Sequence, residues 1–266
     1  MSRLYLVPNA LDLGTGGTPA PLDDVLPRGV IRVAAGIEHW VVEDAKSARA
    51  FLKRVDAVVP LARPLQALAI VELPKAPKGR EARRLPTAAA ELLAPLRDGH
   101  AMGLLSEAGL PAVADPGAAI VAAAHSEGYA VEALPGPSAL LLALAASGLQ
   151  GQRFAFVGYL PTGPEPRAAR IRELETLSRR HDQTQLAIET PYRNEALLGA
   201  LVEHLQPATR LSVSAGLTLR GGRTRTDRVA AWRARPGGLP LELPAVFAWH
   251  ADDLARSAPR TRADRP

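Results

Sequence analysis

Residues 103–117 read Gly-Leu-Leu-Ser-Glu-Ala-Gly-Leu-Pro-Ala-Val-Ala-Asp-Pro-Gly, and residues 134–148 read Leu-Pro-Gly-Pro-Ser-Ala-Leu-Leu-Leu-Ala-Leu-Ala-Ala-Ser-Gly. Each follows a short apolar run, Ala101–Leu105 in the first case and Ala130–Leu134 in the second, and each opens a helix-like stretch. The pattern predicts strand, tight loop and helix, twice in succession. Loops at the carboxyl ends of strands in an α/β sheet are where small ligands bind, and glycine there lets a ligand approach the backbone. Gly and Pro by themselves only punctuate turns. Two such loops carrying Ser106, Glu107, Asp115 and Ser138 among apolar neighbours favour a binding site.

Outward from this core, apolar runs and breakers predict further strands at Arg3–Val7, Trp40–Glu43, Leu68–Leu73, Phe154–Val157, Leu186–Ile188, Leu211–Ala215 and Pro244–Trp249. Helices are expected over Pro27–Glu38, from Asp44 to Arg54, from Pro86 to Arg97, after Gly117, after Pro137, over Glu165–Arg180 and over Asn194–Leu205. The helix after Pro137 consists of Ala and Leu and is expected to be buried on most sides. Asp44 suits a helix cap and equally a substrate contact. The string Gly14-Thr15-Gly16-Gly17-Thr18 does not make a dinucleotide loop, because the third glycine of that motif falls at Pro19.

Composition bounds the chemistry. The chain has 266 residues, 47% of them hydrophobic, enough for two cores. Its apolar stretches fall short of the ~20 residues that cross a bilayer, and no basic-then-apolar leader precedes Leu4, so a cytoplasmic protein is expected. With no Cys and six scattered His, disulfides, thiolate catalysis and common metal sites are excluded, and no metal is expected. A net charge of +5 is compatible with an anionic partner such as RNA. Basic groups for phosphate contacts occur at Lys75, Lys78, Arg80, Arg83 and Arg84 and again at Arg220, Arg223 and Arg225, both read as loops.

Several blocks resemble a known family. Ser106-Glu107-Ala108-Gly109-Leu110-Pro111 with Asp115-Pro116-Gly117, Pro135-Gly136-Pro137-Ser138-Ala139-Leu140, Phe154-Ala155-Phe156-Val157-Gly158-Tyr159-Leu160-Pro161 and Glu189-Thr190-Pro191-Tyr192-Arg193 are similar to the tetrapyrrole methylase superfamily. Within it the chain looks most like the branch that methylates ribosomal small-subunit RNA at ribose 2'-oxygens. It departs from that branch in three places. Asn9-Ala10-Leu11-Asp12-Leu13-Gly14 stands for a Gly-Asn-Leu-Gly-Asp turn, Glu43-Asp44-Ala45-Lys46 for Glu-Asp-Thr-Arg, and Leu217-Thr218 is what remains of Arg-Glu-Leu-Thr-Lys.

The resemblance implies two α/β domains, 1–116 and 117–252, with a cofactor cleft between them, a homodimer, and S-adenosylmethionine as cofactor. Residues 253–266 are expected to be a disordered basic tail. The implied cofactor contacts are Pro8, Ser106, Glu107, Ala108, Gly109, Leu110, Val113, Asp115, Ser138, Ala139, Glu189, Ala215, Leu217, Pro244 and Ala245. Asp44, Tyr159, Tyr192 and Arg193 are implied to face the substrate. Methyl transfer needs an oriented nucleophile in a dry site and neither metal nor covalent intermediate, which agrees with the missing Cys and His clusters. A ribose hydroxyl would need a proton acceptor, for which Glu43, Asp44 and Glu189 are the available carboxylates. Three readings stay open: an RNA methyltransferase, a methylase of a small molecule such as a tetrapyrrole, and an inactive cofactor-binding interaction module.

Overall fold

The protein, seen in a computed structural model, is described over residues 2–12, 20–74 and 89–251. Its contacts divide it into one unit of residues 1–138 and a second of residues 139–266. The division falls later than the expected 116/117 boundary. The reason is hydrogen bonding: strand β5 (Ala130–Ala133) pairs in parallel with β1 (Arg3–Val7), so the chain stays in the first sheet until Ser138.

The first sheet is wholly parallel, in the order β3-β2-β4-β1-β5, with β2 at His39–Val42, β3 at Ala69–Glu72 and β4 at Met102–Leu105. Its central strand β4 is apolar and buried without a break, because both faces are covered. Alternate residues feed opposite cores. Trp40, Val42 and Leu105 point into one cluster with Val30, Ile31, Phe51 and Leu52, while Val41, Met102 and Leu104 point into another with Leu93, Leu96, Ile120 and Ala124. The covering helices follow from this. After a single turn, α1 (Leu22–Val25), come α2 (Arg28–Ala35) and α3 (Ala45–Asp56) on one face. The short α4 (Ala94–Arg97) and α5 (Ala118–Ser126) cover the other. Each fully buried Leu or Ile contributes about 1.5–3 kcal/mol.

The second sheet is mixed, in the order β6-β7-β10-β8-β9. Only β6 (Phe154–Phe156) and β7 (Thr184–Glu189) run parallel, and β8 (Arg210–Ala215), β9 (Arg223–Arg228) and β10 (Ala245–His250) join antiparallel. Here one face carries most of the core. Ala187, Leu211, Val213, Phe247 and Trp249 pack with residues of α7 (Pro164–His181), α8 (Asn194–His204) and α9 (Val229–Ala234), among them Ile171, Leu174, Leu197, Leu201 and Trp232.

The opposite face meets α6 (Ala139–Ser147) through Leu140, Ala143 and Leu144 against Leu186, Val246 and Ala248. Farther along that face Ser212 and Ser214 exchange hydroxyl hydrogen bonds with Thr226 and Thr224, at 2.8 and 2.9 Å. Burial of α6 on most sides is not found. It has one buried face, and Leu141 and Leu142 on the other are 50% and 37% exposed, because only a single helix lies on this side of the sheet among the described residues.

The largest difference from the sequence reading is at Arg223 and Arg225. Of the basic loop read at Arg220, Arg223 and Arg225, only Arg220 lies in a turn, whereas the other two belong to β9, which leads into α9. Alternating Arg and Thr give β9 no apolar face, so the period-2 signal is absent. Arg225 is structural: its guanidinium lies 3.9 Å from the Trp232 ring centroid and donates to the carbonyls of Arg235 at 2.6 Å and Gly237 at 3.2 Å. The basic segment Lys75–Arg84, the start of the helix expected at Pro86 and the tail at 253–266 lie outside the described residues.

Candidate functional site

In the first unit the site residues collect at the carboxyl edge of the parallel sheet, and strand register explains why. Val7, Leu105 and Val42 are side by side on β1, β4 and β2. The next residues along each strand are therefore neighbours: Pro8, Ser106 and Glu43, followed by Asn9, Glu107 and Asp44. The loop after β4 is then fastened to the loop after β1. Asn9 and Gly109 exchange backbone hydrogen bonds at 2.9 and 3.1 Å, and the buried Asn9 side chain donates to the Glu107 carbonyl at 2.9 Å and accepts from Ala10 N–H at 2.8 Å.

Two glycines are required by geometry. Gly109 has φ +68°, in the left-handed region, and a Cβ there would lie 3.3 Å from Leu11 Cδ2. Gly136 lies against Pro8, where a Cβ would come within 2.3 Å of the ring. The loop continues through Ala112 and Ala114, both with φ near +65°, to the α5 start. Left-handed backbone at two alanines costs energy that the surrounding contacts must offset. Val113 between them is exposed, while Ser106 and Ser138 are buried.

Carboxylates gather on this edge. Glu43 accepts from the Glu107 backbone N–H at 3.1 Å. Burial, with Glu43 and Asp44 nearby, raises the Glu107 pKa. Asp115 is pushed up to about 7, chiefly by burial and then by the charges of Glu43 and Glu107, with a hydrogen bond from Ser106 opposing the shift. At neutral pH Asp115 is therefore poised between a form that donates and a form that only accepts. Asp44 caps α3, its carboxylate accepting from Ser47 N–H at 2.7 Å, and that bond is the main cause of its lowered pKa. Of the two roles open for Asp44, the cap is the one seen in the geometry.

In the second unit another set of expected residues meets on one sheet edge. Ala245, at the start of β10, is paired with Glu189 at the end of β7 and with Ala215 at the end of β8. Pro244 accepts from Gly216 N–H at 2.9 Å, which brings the turn carrying Leu217 to the same edge. Glu189 does not present a free charge. Its Oε1 accepts from Thr190 N at 2.7 Å and from Arg193 Nη2 and Nε at 2.7 and 3.0 Å. That pairing raises the Arg193 pKa.

Sequence reasoning missed the Asn9 clamp. A polar residue directly after a strand is the signal that was available, and it is a weak one, because Asn is common in turns for other reasons. Among the described residues no group of three or more His, Asp or Glu could hold a metal ion, and no helix is long and apolar enough to cross a membrane.

A parallel sheet with looped carboxyl ends, followed by a mixed sheet, defines a two-unit α/β protein. Residues 45–231 match the profile of the tetrapyrrole (corrin/porphyrin) methylases, and the chain belongs to that family. It is 37% identical over 141 residues to the ribosomal RNA small subunit methyltransferase I of Mesorhizobium japonicum, covering 53% of this chain and 47% of the relative. A protein of the same name from Mycobacterium bovis is 36% identical over 163 residues, with 59% and 54% covered. The matched stretch thus spans about half the length of these curated relatives. A solved uroporphyrin-III C-methyltransferase from Thermus thermophilus shares the fold, with a TM-score of 0.51, 21% identity, and 94% and 95% of the two chains covered.

Proposed function

We propose that this protein is an S-adenosylmethionine-dependent methyltransferase of small-subunit ribosomal RNA. Family membership supports methyl transfer, and relatives named for small-subunit ribosomal RNA support the acceptor. The observation that carries the reading is the first sheet's edge: Asn9 holds the 106–109 loop in place, and Gly109 supplies the left-handed turn that brings Ser106, Glu107 and Asp115 to that edge.

The residues fit such a cofactor. Val113 offers an apolar contact, and Ser106, Ser138 and Asp115 offer hydrogen bonds to hydroxyl and amino groups. When bound, the cofactor supplies an electrophilic methyl group on a sulfonium. The chain's own part is to orient the acceptor oxygen, exclude water and take up its proton. With Glu189 held by Arg193 and Asp44 by its helix, Glu43, Glu107 and Asp115 are the carboxylates of the first edge left to accept that proton.

A homodimer belongs to the proposal and draws support from the exposed Leu141 and Leu142 on α6, an apolar face that a second copy could cover. A cytoplasmic location follows from the proposed substrate. The test is transfer of tritium from methyl-labelled S-adenosylmethionine to small ribosomal subunits lacking this modification. Label in the RNA supports the reading. Calorimetric binding of the cofactor without labelled RNA, but with labelled tetrapyrrole, would replace it with the small-molecule alternative.

A further inference from the structure

The carboxyl edge of the second sheet carries a feature that cofactor binding does not use. β6 and β7 are adjacent and parallel, with Phe156 opposite Leu186, so the segments that follow them emerge at the same edge. The first presents Tyr159 and the second Tyr192, which are 57% and 82% exposed. Large aromatic rings left in water at a sheet edge forgo the burial that normally stabilises them. Arg193 sits beside the second. Its guanidinium is 5.5 Å from the Tyr192 ring centroid, and its pKa is raised chiefly by the hydrogen bond and charge of Glu189. Bonded to Glu189, it is fixed in place and largely neutralised, and it serves as a brace for the rings rather than as a phosphate contact.

The geometry points to Tyr159 and Tyr192 as a stacking platform for an unpaired nucleobase of the RNA substrate. The inference rests on the RNA reading above and narrows it to single-stranded or looped RNA. Paired bases in an A-form helix present no open face to a protein ring, whereas an unstacked base offers one, and aromatic rings beside an Arg recognise it with little sequence preference. Two tyrosines on neighbouring loops, one of them almost wholly exposed beside an immobilised guanidinium, provide such a surface without any change in the fold.

The experiment uses the full-length protein and a loop-containing small-subunit RNA fragment with 2-aminopurine in the loop. Wild type should alter the probe's fluorescence on binding. Tyr192→Leu and Tyr159→Leu should each raise Kd by about tenfold and abolish the fluorescence change, as loss of one base-stacking contact implies. Tyr192→Phe and Tyr159→Phe should retain both, since stacking needs the ring and not the hydroxyl. The rings are exposed, so the variants should fold, and calorimetric binding of S-adenosylmethionine should be unchanged in all four. If wild type binds the RNA and the Leu variants bind it equally well, the platform is refuted while the RNA reading stands. Equal affinity for a fully paired duplex of the same length would also refute it. If wild type binds no RNA but binds uroporphyrin through the same tyrosines, both the platform's assigned ligand and the RNA reading fall.

Discussion

The two sheet edges treat charge in opposite ways. On the first, Glu43, Glu107 and Asp115 crowd together, and burial, reinforced by the neighbouring charges, makes Glu107 and Asp115 hold their protons more tightly than usual. On the second, the Glu189 carboxylate is matched by Arg193 within its own loop. The first edge resists full ionisation and can exchange a proton near neutrality, whereas the second is electrostatically settled and offers aromatic surface instead. Sheet type contributes to the contrast. A parallel sheet brings several strand ends and their loops to one edge, while in the mixed sheet the arriving strand β10 occupies the middle of the corresponding edge with Ala245.

The strongest way to break the first edge is Gly109→Val. With φ +68° and Leu11 and Pro137 close by, a branched side chain should cost at least about 2 kcal/mol and displace the loop, seen as a lower melting temperature together with loss of cofactor-binding heat. The matching test in the second unit is Arg225→Ala. This removes the contact with Trp232 and the bonds to Arg235 and Gly237, and about 2 kcal/mol of stability should be lost in denaturant titration. RNA affinity lost in that variant without loss of stability would restore Arg225 as a phosphate contact.

A sharper test of the charge contrast is the pH dependence of Asp115→Asn. The Asp115 pKa is raised from 3.8 unfolded to about 7 folded, so between these values the folded state holds a proton that the unfolded state has released. This group's contribution therefore falls as pH rises from about 4 to about 7, and its cost is complete above that. Asn should make the protein more heat-stable than wild type at pH 8, with the difference shrinking toward pH 4. A difference that grew on acidification would reverse the sign and refute the raised pKa. The smallest effect is expected for Asp44→Ala, about 1 kcal/mol from the lost α3 cap, with cofactor binding unchanged. A large fall in methyl transfer at intact stability would return Asp44 to the substrate side.

The alternation of loops and apolar runs was enough to place most strands and helices, because burial on one or both faces leaves a periodic trace in sequence. The 223–234 segment left none. β9 is an edge strand of Arg and Thr, held by backbone pairing and hydroxyl contacts with β8, and neither depends on apolar periodicity. The unit boundary was misplaced for a related reason. Nothing in Ala130–Ala133 says which sheet it will join, since hydrogen-bond partners distant in sequence make that choice.

Family, fold class and the loops that gather at the strand ends were determined by the sequence itself, in local motifs whose Gly, Pro and Ser residues each impose a local backbone constraint. Tertiary structure decided what those residues do to one another. Asn9 became a clamp because β1 and β4 lie in register, and Glu189 lost its free charge to an Arg whose side chain folds back on it. Asp115 gained its shifted proton affinity chiefly from burial and then from carboxylates brought close by the first sheet. Such couplings depend on distance and burial in space, quantities that a linear order of residues does not contain.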